Sequence, residues 1–263
     1  MPVHEVAAEG FGSGADAYER GRPSYPPDAV AWLVESLRLR PGVRLVDLAA
    51  GTGKLTRLLA PTGAWLAAVE PVEGMRQVLH RTLPAVPALA ATAEALPFGA
   101  RSLDAVTVAQ AFHWFEPDAA FAELARVLRP GGRVGLVWNA RDRSVGWVDE
   151  LWGILDRVEK RAPWRDHERP TDRDFAPQTD RDVAPQAGFG PVHEATFHHE
   201  QRIAHDAIAE RFTSVSHVAV LPAAQQRAVV DEVLGVLASD PATAGRAELA
   251  IPYRVDAYWR ERR

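Results

Sequence analysis

The sequence predicts an α/β fold built on a mostly parallel sheet with helices on both faces. Short apolar runs alternate with amphipathic stretches from Arg44 to Asn139, and the turns between them are brief and rich in Gly and Pro. In "LVDLAAGTGKLTRLLA", Leu45 to Ala60, an apolar run reaches an acid, turns on small residues and enters a helical pattern. Alternation of this kind specifies parallel strands joined by helical crossovers, and ligands on such sheets sit at the carboxyl ends of the strands.

The elements follow in order. A polar, Pro-broken segment precedes an amphipathic helix from about Asp28 to Leu37, and Pro41-Gly42 punctuates. Then come strand Arg44 to Leu48, helix Lys54 to Ala60, strand Ala64 to Glu70 and helix Val72 to Arg81. A strand near Pro87 to Ala91, strand Ala105 to Gln110, helix Asp118 to Leu128, a turn at Pro130-Gly131-Gly132 and strand Val134 to Asn139 complete the alternation. A Trp-rich helix, Gly146 to Lys160, leads into a Pro- and charge-rich stretch, Ala162 to Gln186, read as a mobile loop. There "DRDFAPQ" recurs eight residues later as "DRDVAPQ", and arginines interleaved with its aspartates oppose a cation site. Late strands at Pro191 to Glu200 and Glu248 to Tyr258 enclose helices at about His205 to His217 and Ala223 to Leu237, which read as a lid. The expected organisation is an N-terminal lid segment and first helix (1–40), a binding core (41–145), and the rest of the sheet (146–263) with lid helices at about 205–237.

A chain of 263 residues, 47% apolar, buries one good core with a small appendage. Its net charge of -5 argues against a nucleic-acid partner, because phosphate-binding surfaces make their domains basic. The absence of cysteine excludes disulfides and thiolate metal ligands and suits a reducing compartment. With no basic-then-apolar leader and no apolar run of about eighteen residues, the expectation is a cytoplasmic protein without a membrane partner. Oligomeric state is open: Trp147 and Trp164 fit an interface or a core equally.

The glycine-rich turn is neither of two common phosphate binders. A P-loop needs Gly five residues before its Gly-Lys pair and Ser or Thr after the Lys; Leu48 and Leu55 occupy those places. A dinucleotide fingerprint needs Gly where Thr56 stands, which disfavours a nicotinamide oxidoreductase. What remains is a turn that accepts a ligand pressed on backbone but carrying no phosphate.

With these motifs in view, the sequence resembles the class I S-adenosylmethionine-dependent methyltransferases over most of its length. "VDLAAGTGKLTRLLA" matches their first motif, with Ala49 where many members carry Gly. Glu70 in "AAVEPVEGM", nineteen residues after Gly51, stands where the family places an acid on the ribose hydroxyls. "ATAEALPF" is similar to the loop beside the adenine, and "LDAVTVAQAFHWF" and "LARVLRPGGRVGLVWN" to the fourth and fifth strands. "YERGRPSYP" and the late helices resemble the small-molecule branch that includes trans-aconitate methyltransferase. The resemblance implies a Rossmann-like, mostly parallel seven-stranded sheet with a helical lid, S-adenosyl-L-methionine as cofactor and a small-molecule acceptor. It implies cofactor contacts from Tyr18, Arg22, Asp47, Ala49, Gly51, Glu70, Pro71, Ala93, Glu94 and Gln110.

Several of these residues have a second reading. Asp47 supplies charge near the methionine end or caps the following turn, and Glu70 binds the ribose or caps the next helix. Ala93 and Glu94 flank adenine or form a plain surface turn. Arg22 pairs with the cofactor carboxylate or is solvated. His113, just past the fourth strand, is a general base for a hydroxyl acceptor or a pocket-lining residue. Trp114, Trp138, Trp152 and His217 complete the expected acceptor pocket. His198 and His199 point to opposite faces of their strand and make no metal pair; no metal site is expected. The function expected is methyl transfer to an oxygen of a metabolite; the alternative is a protein of the same fold that binds the cofactor without methylating.

Overall fold

In a computed structural model of the chain, residues 15, 19, 21–160, 188–213 and 215–263 are described; Tyr18, Trp164 and the 162–186 segment lie outside them. The helices are α1 (Pro27–Ser36), α2 (Thr56–Leu59), α3 (Glu73–Thr82), α4 (Pro117–Val127), α5 (Gly146–Lys160), α6 (Ile208–Thr213), α7 (Ser216–Ala219) and α8 (Ala223–Ser239). The strands are β1 (Arg44–Leu48), β2 (Trp65–Val69), β3 (Ala88–Leu89), β4 (Leu103–Ala109), β5 (Leu128–Arg141), β6 (His193–Ala204) and β7 (Glu248–Glu261). They form one seven-stranded sheet in the order β3-β2-β1-β4-β5-β7-β6.

The first five strands pair parallel. β7 runs antiparallel to β5: Gly131 donates to the Arg262 carbonyl while Asp142 donates to that of Pro252. The strand order reverses at β1 and β4, which places their carboxyl ends at the switch point where such sheets bind ligands.

The chain divides into two compact units. One holds Ser24–Asn139, 188–197 and Val255–Arg263; the other holds 140–160 and His198–Arg254 with Arg22. In the first unit the strands alternate between two cores. Val46 and Leu48 of β1 and Val134, Leu136 and Trp138 of β5 join Phe121 and Leu124 of α4 on one side. Leu45 and Val137 join Leu33 and Leu37 of α1, Leu59 of α2 and Leu79 of α3 on the other. Buried on both faces, these strands read as apolar runs, as parallel sheets do. In the second unit, Trp147, Leu151 and Trp152 of α5 pack with Phe212 of α6, Val233 of α8 and Tyr253 of β7. Trp147 is therefore a core residue, 7% exposed.

Three elements differ from the sequence reading. Pro130-Gly131-Gly132 lies inside β5 rather than in a turn, because its backbone bonds to the end of β7. The helix expected over Lys54 to Ala60 is α2 plus a 3-10 turn at Ala60–Thr62, where Pro61 contributes no N–H. The helix expected over His205 to His217 is a 3-10 turn and two short helices, interrupted at Val215, whose extended backbone puts a 3%-exposed side chain into the core. Among the described residues, no helix is long and apolar enough to cross a membrane.

α1 meets β5 through Gly135, where an added Cβ would stand 2.9 Å from Leu37 Cδ1 and 3.2 Å from Leu33 Cδ2. Both leucines are buried, so neither has room to yield. Gly135→Ala is expected to lower stability by about 1–3 kcal/mol through overpacking. Urea unfolding checks this, and an unchanged midpoint would show that α1 shifts freely.

Candidate functional site

Asp47 in β1 and Thr107 in β4 are buried polar residues among apolar neighbours of the central strands, and they are register partners. The Thr107 hydroxyl donates to Asp47 Oδ1 (2.8 Å), and the Thr56 hydroxyl at the start of α2 donates to Oδ2 (2.6 Å). Asp47, 1% exposed, thus ties two strands to the helix that follows the glycine turn.

Glu70 follows β2 and is 5% exposed. Its Oε2 accepts the Gly51 N–H (2.9 Å) and its Oε1 the Val72 N–H (2.8 Å), so one carboxylate spans the turn after β1 and the entry to α3. Arg76 Nη1 secures the same corner from below, donating to the carbonyls of Glu70 (2.7 Å) and Pro71 (2.6 Å). Burial raises the Glu70 carboxyl, and the two backbone donors and Arg76 oppose that rise.

The turn is bare backbone. Gly51 has φ +58°, and a Cβ there would meet nothing within 4 Å. Ala49 (φ +53°) and Gln110 (φ +56°), each just beyond the end of β1 or β4, are also left-handed. For residues with a Cβ that conformation costs about 1–2 kcal/mol and gathers where function holds it in place. Gln110 Nε2 donates to the Asn139 carbonyl (3.2 Å) and Asn139 Nδ2 to that of Ser24 (3.1 Å), fastening the ends of β4 and β5 to the segment before α1.

Glu70 thus bonds directly to Gly51 and is followed by Pro71, while Asp47 and Ala49 stand at the end of β1 and Gln110 at the end of the adjacent β4. Ala93, 2% exposed, packs into the core that contains Leu48 and Val69 and against which Ala49 lies. Glu94 Oε1 accepts the Glu116 N–H (3.0 Å) ahead of α4. His113 and Trp114 occupy a 3-10 turn after β4 with rings 5.1 Å apart; His113 is half-buried and Trp114 43% exposed. Trp138 is 1% exposed and packs edge-on to Tyr258. Arg22 and Trp152 belong to the second unit, as does His217 of α7, whose side chain lies outside the description. His198 is exposed while His199 stacks on Tyr253. Among the described residues, no three His, Cys, Asp or Glu side chains gather as metal ligands do.

Thr56, Thr107, Arg76 and Asn139 escaped the sequence reading. Thr107 had a legible signal: a lone hydroxyl in an otherwise apolar run.

Residues 46–136 match the model of a methyltransferase domain family. An uncharacterized methyltransferase of Mycobacterium tuberculosis is 42% identical over 243 residues, 92% of this chain and 91% of the relative. A methyltransferase-like protein of Schizosaccharomyces pombe is 29% identical over 99% of this chain and 98% of its own length. Among solved structures, one described as a type II methyltransferase from Anaeromyxobacter dehalogenans aligns with a TM-score of 0.62 and 25% identity, covering 92% of this chain and 97% of that one.

Burial pushes the Asp47 carboxyl from 3.8 up to about 6, against the lowering effect of the Thr56 and Thr107 bonds. An acid raised on folding stabilises the native state while protonated; that contribution is complete below the unfolded value and is lost as pH rises through the folded one. Relative to Asp47→Asn, the wild type should lose on the order of 3 kcal/mol from below pH 3.8 to above about pH 6. Urea midpoints of both proteins across that interval test this; a constant difference would mean that Asp47 does not titrate there.

Proposed function

This chain belongs to the class I S-adenosylmethionine-dependent methyltransferases, and on that premise we propose that it transfers the methyl group of S-adenosyl-L-methionine to an oxygen of a small-molecule acceptor, a hydroxyl or a carboxylate. One observation carries the cofactor reading: the Glu70 carboxylate, held by Gly51 and Val72 at the end of β2. An ionised carboxylate has about four acceptor sites, so two backbone donors leave capacity for the two hydroxyls of a ribose. The open side of Gly51 lets a ligand lie against the chain there, and the turn lacks the residues that would grip a phosphate.

The residues present fit the cofactor. Glu70 would take its ribose, the Ala49 to Gly51 backbone would face its methionine portion, and Ala93 and Glu94 would border its adenine. Asp47 acts from behind the turn, fixing Thr56 and Thr107 and contributing negative charge on the side of a cationic ligand. When bound, the cofactor supplies a methyl group activated by its sulfonium. The chain's own task is to hold the acceptor in line and keep water away. With a hydroxyl acceptor, His113 receives the proton; a carboxylate acceptor is already nucleophilic and needs no base.

Methyl-labelled S-adenosylmethionine, incubated with the protein and a panel of hydroxy and carboxylic acids, is expected to give labelled product and S-adenosylhomocysteine. Bound cofactor with no transfer to any acceptor would leave a binding protein instead. With a hydroxyl acceptor, His113→Ala should lower kcat by about 10²-fold or more while S-adenosylhomocysteine affinity stays within about twofold. Equal turnover in the variant would remove His113 from catalysis.

A further inference from the structure

The loop after β3 is shaped from outside. The Glu70 N–H donates to the Leu89 carbonyl (2.9 Å), so the chain leaves β3 beside that acid. It then turns from Thr92 to Ala95, closed by the Ala95 N–H on the Thr92 carbonyl (3.3 Å), with Ala93 and Glu94 at the corner. Beyond the corner, α4 takes hold. Glu123 Oε1 accepts the Leu96 N–H (2.7 Å), while Arg126 Nη2 donates to the Leu96 carbonyl (3.1 Å) and Nη1 to that of Phe98 (2.8 Å). The two side chains also grip each other: Arg126 Nε donates to Glu123 Oε2 and Nη2 to Oε1, both at 2.7 Å. A third tie runs from the Glu116 N–H, just before α4, to Glu94 Oε1 (3.0 Å).

An ion pair three residues apart on a helix surface contributes little by itself. Here the pair instead satisfies both backbone groups of Leu96, whose side chain is buried in the core that contains Ala93 and Leu124 of α4. The bond from Arg126, joined by that from the Leu96 N–H, holds the Glu123 carboxyl below the ordinary carboxylate range against desolvation. Both groups are therefore ionised at neutral pH, and their bonds to the loop are of the stronger, charge-assisted kind. On one edge adenine presents an amino donor and a ring-nitrogen acceptor; a 6-oxopurine reverses both. Backbone N–H and C=O groups tell the two apart only where the chain is held and does not turn to suit either.

We propose that Glu123 and Arg126 act together as a positioning pair for base recognition, holding the Ala93-Glu94 corner in the one shape that selects adenine over a 6-oxopurine. This rests on the cofactor reading, under which Ala93 and Glu94 border the adenine.

The test is calorimetric titration of S-adenosylhomocysteine, and separately of S-inosylhomocysteine, into wild type, Arg126→Gln, Glu123→Gln and the double variant. The readout is the ratio of the two affinities, which a simple loss of stability does not move. Wild type is expected to prefer the adenine compound by about tenfold or more. Each single variant should cut that ratio by about threefold or more, and the double variant little further than the stronger single one, because the two side chains act as a unit. Equal weakening of both compounds, or an unchanged ratio, would reduce the pair to a structural tie and overturn the proposal. Wild type that binds both compounds equally would overturn it too, while leaving the cofactor reading in place. If wild type binds neither, the cofactor reading itself fails and the proposal falls with it. Glu123→Gln keeps an acceptor for the Leu96 N–H, so it carries the comparison if Arg126→Gln does not fold.

Discussion

The candidate site depends on one buried carboxylate. Glu70 bonds the N–H of Gly51 with one oxygen and that of Val72 with the other, which sets the turn after β1 against the entry to α3. It adds a side-chain anchor to a turn with left-handed backbone at Ala49 and Gly51, whose own backbone bonds run from the Ala50 N–H to the Val69 carbonyl and from the Gly53 N–H to that of Ala50. Asp47 is the companion constraint on the strand side, held by hydroxyls from β4 and α2. One acid thus shapes the rim and the other the floor, and burial raises both. A cationic ligand would lower the energy of both ionised forms at once, which connects the electrostatics of the fold to the chemistry proposed for it.

Much of this was legible in the sequence because local signals and the global fold agreed. The acids at the ends of the first two strands, the small residues between them and the regular strand-helix alternation each pointed to the same switch point. What stayed hidden was the partner of each acid. Thr56 counted in the sequence only as a missing glycine, yet its hydroxyl fixes Asp47. The link from Gln110 through Asn139 to Ser24 joins residues 115 positions apart in its longer step, a distance no local pattern spans. The extension of β5 through Pro130-Gly131-Gly132 was likewise set by distant chain, the end of β7.

The helical unit was the least legible part. Its helices carry apolar faces that predict burial, but no periodicity announces that Arg211 is buried with them or that Arg141 and Arg211 share the Trp152 ring. Trp147, open to an interface or a core reading, and Trp152, expected to line the acceptor pocket, both pack among the buried side chains of that unit.

The most direct test of the central claim is a double-mutant cycle on Glu70. Calorimetry would compare S-adenosylhomocysteine with its 2′,3′-dideoxy analogue in wild type and in Glu70→Ala. If Glu70 holds the ribose as well as the turn, removing the hydroxyls should weaken wild-type binding by about 10–100-fold and have little further effect in the variant. An equal penalty in both proteins would mean that Glu70 shapes the turn without touching the cofactor, and the site proposed here would have to be redrawn.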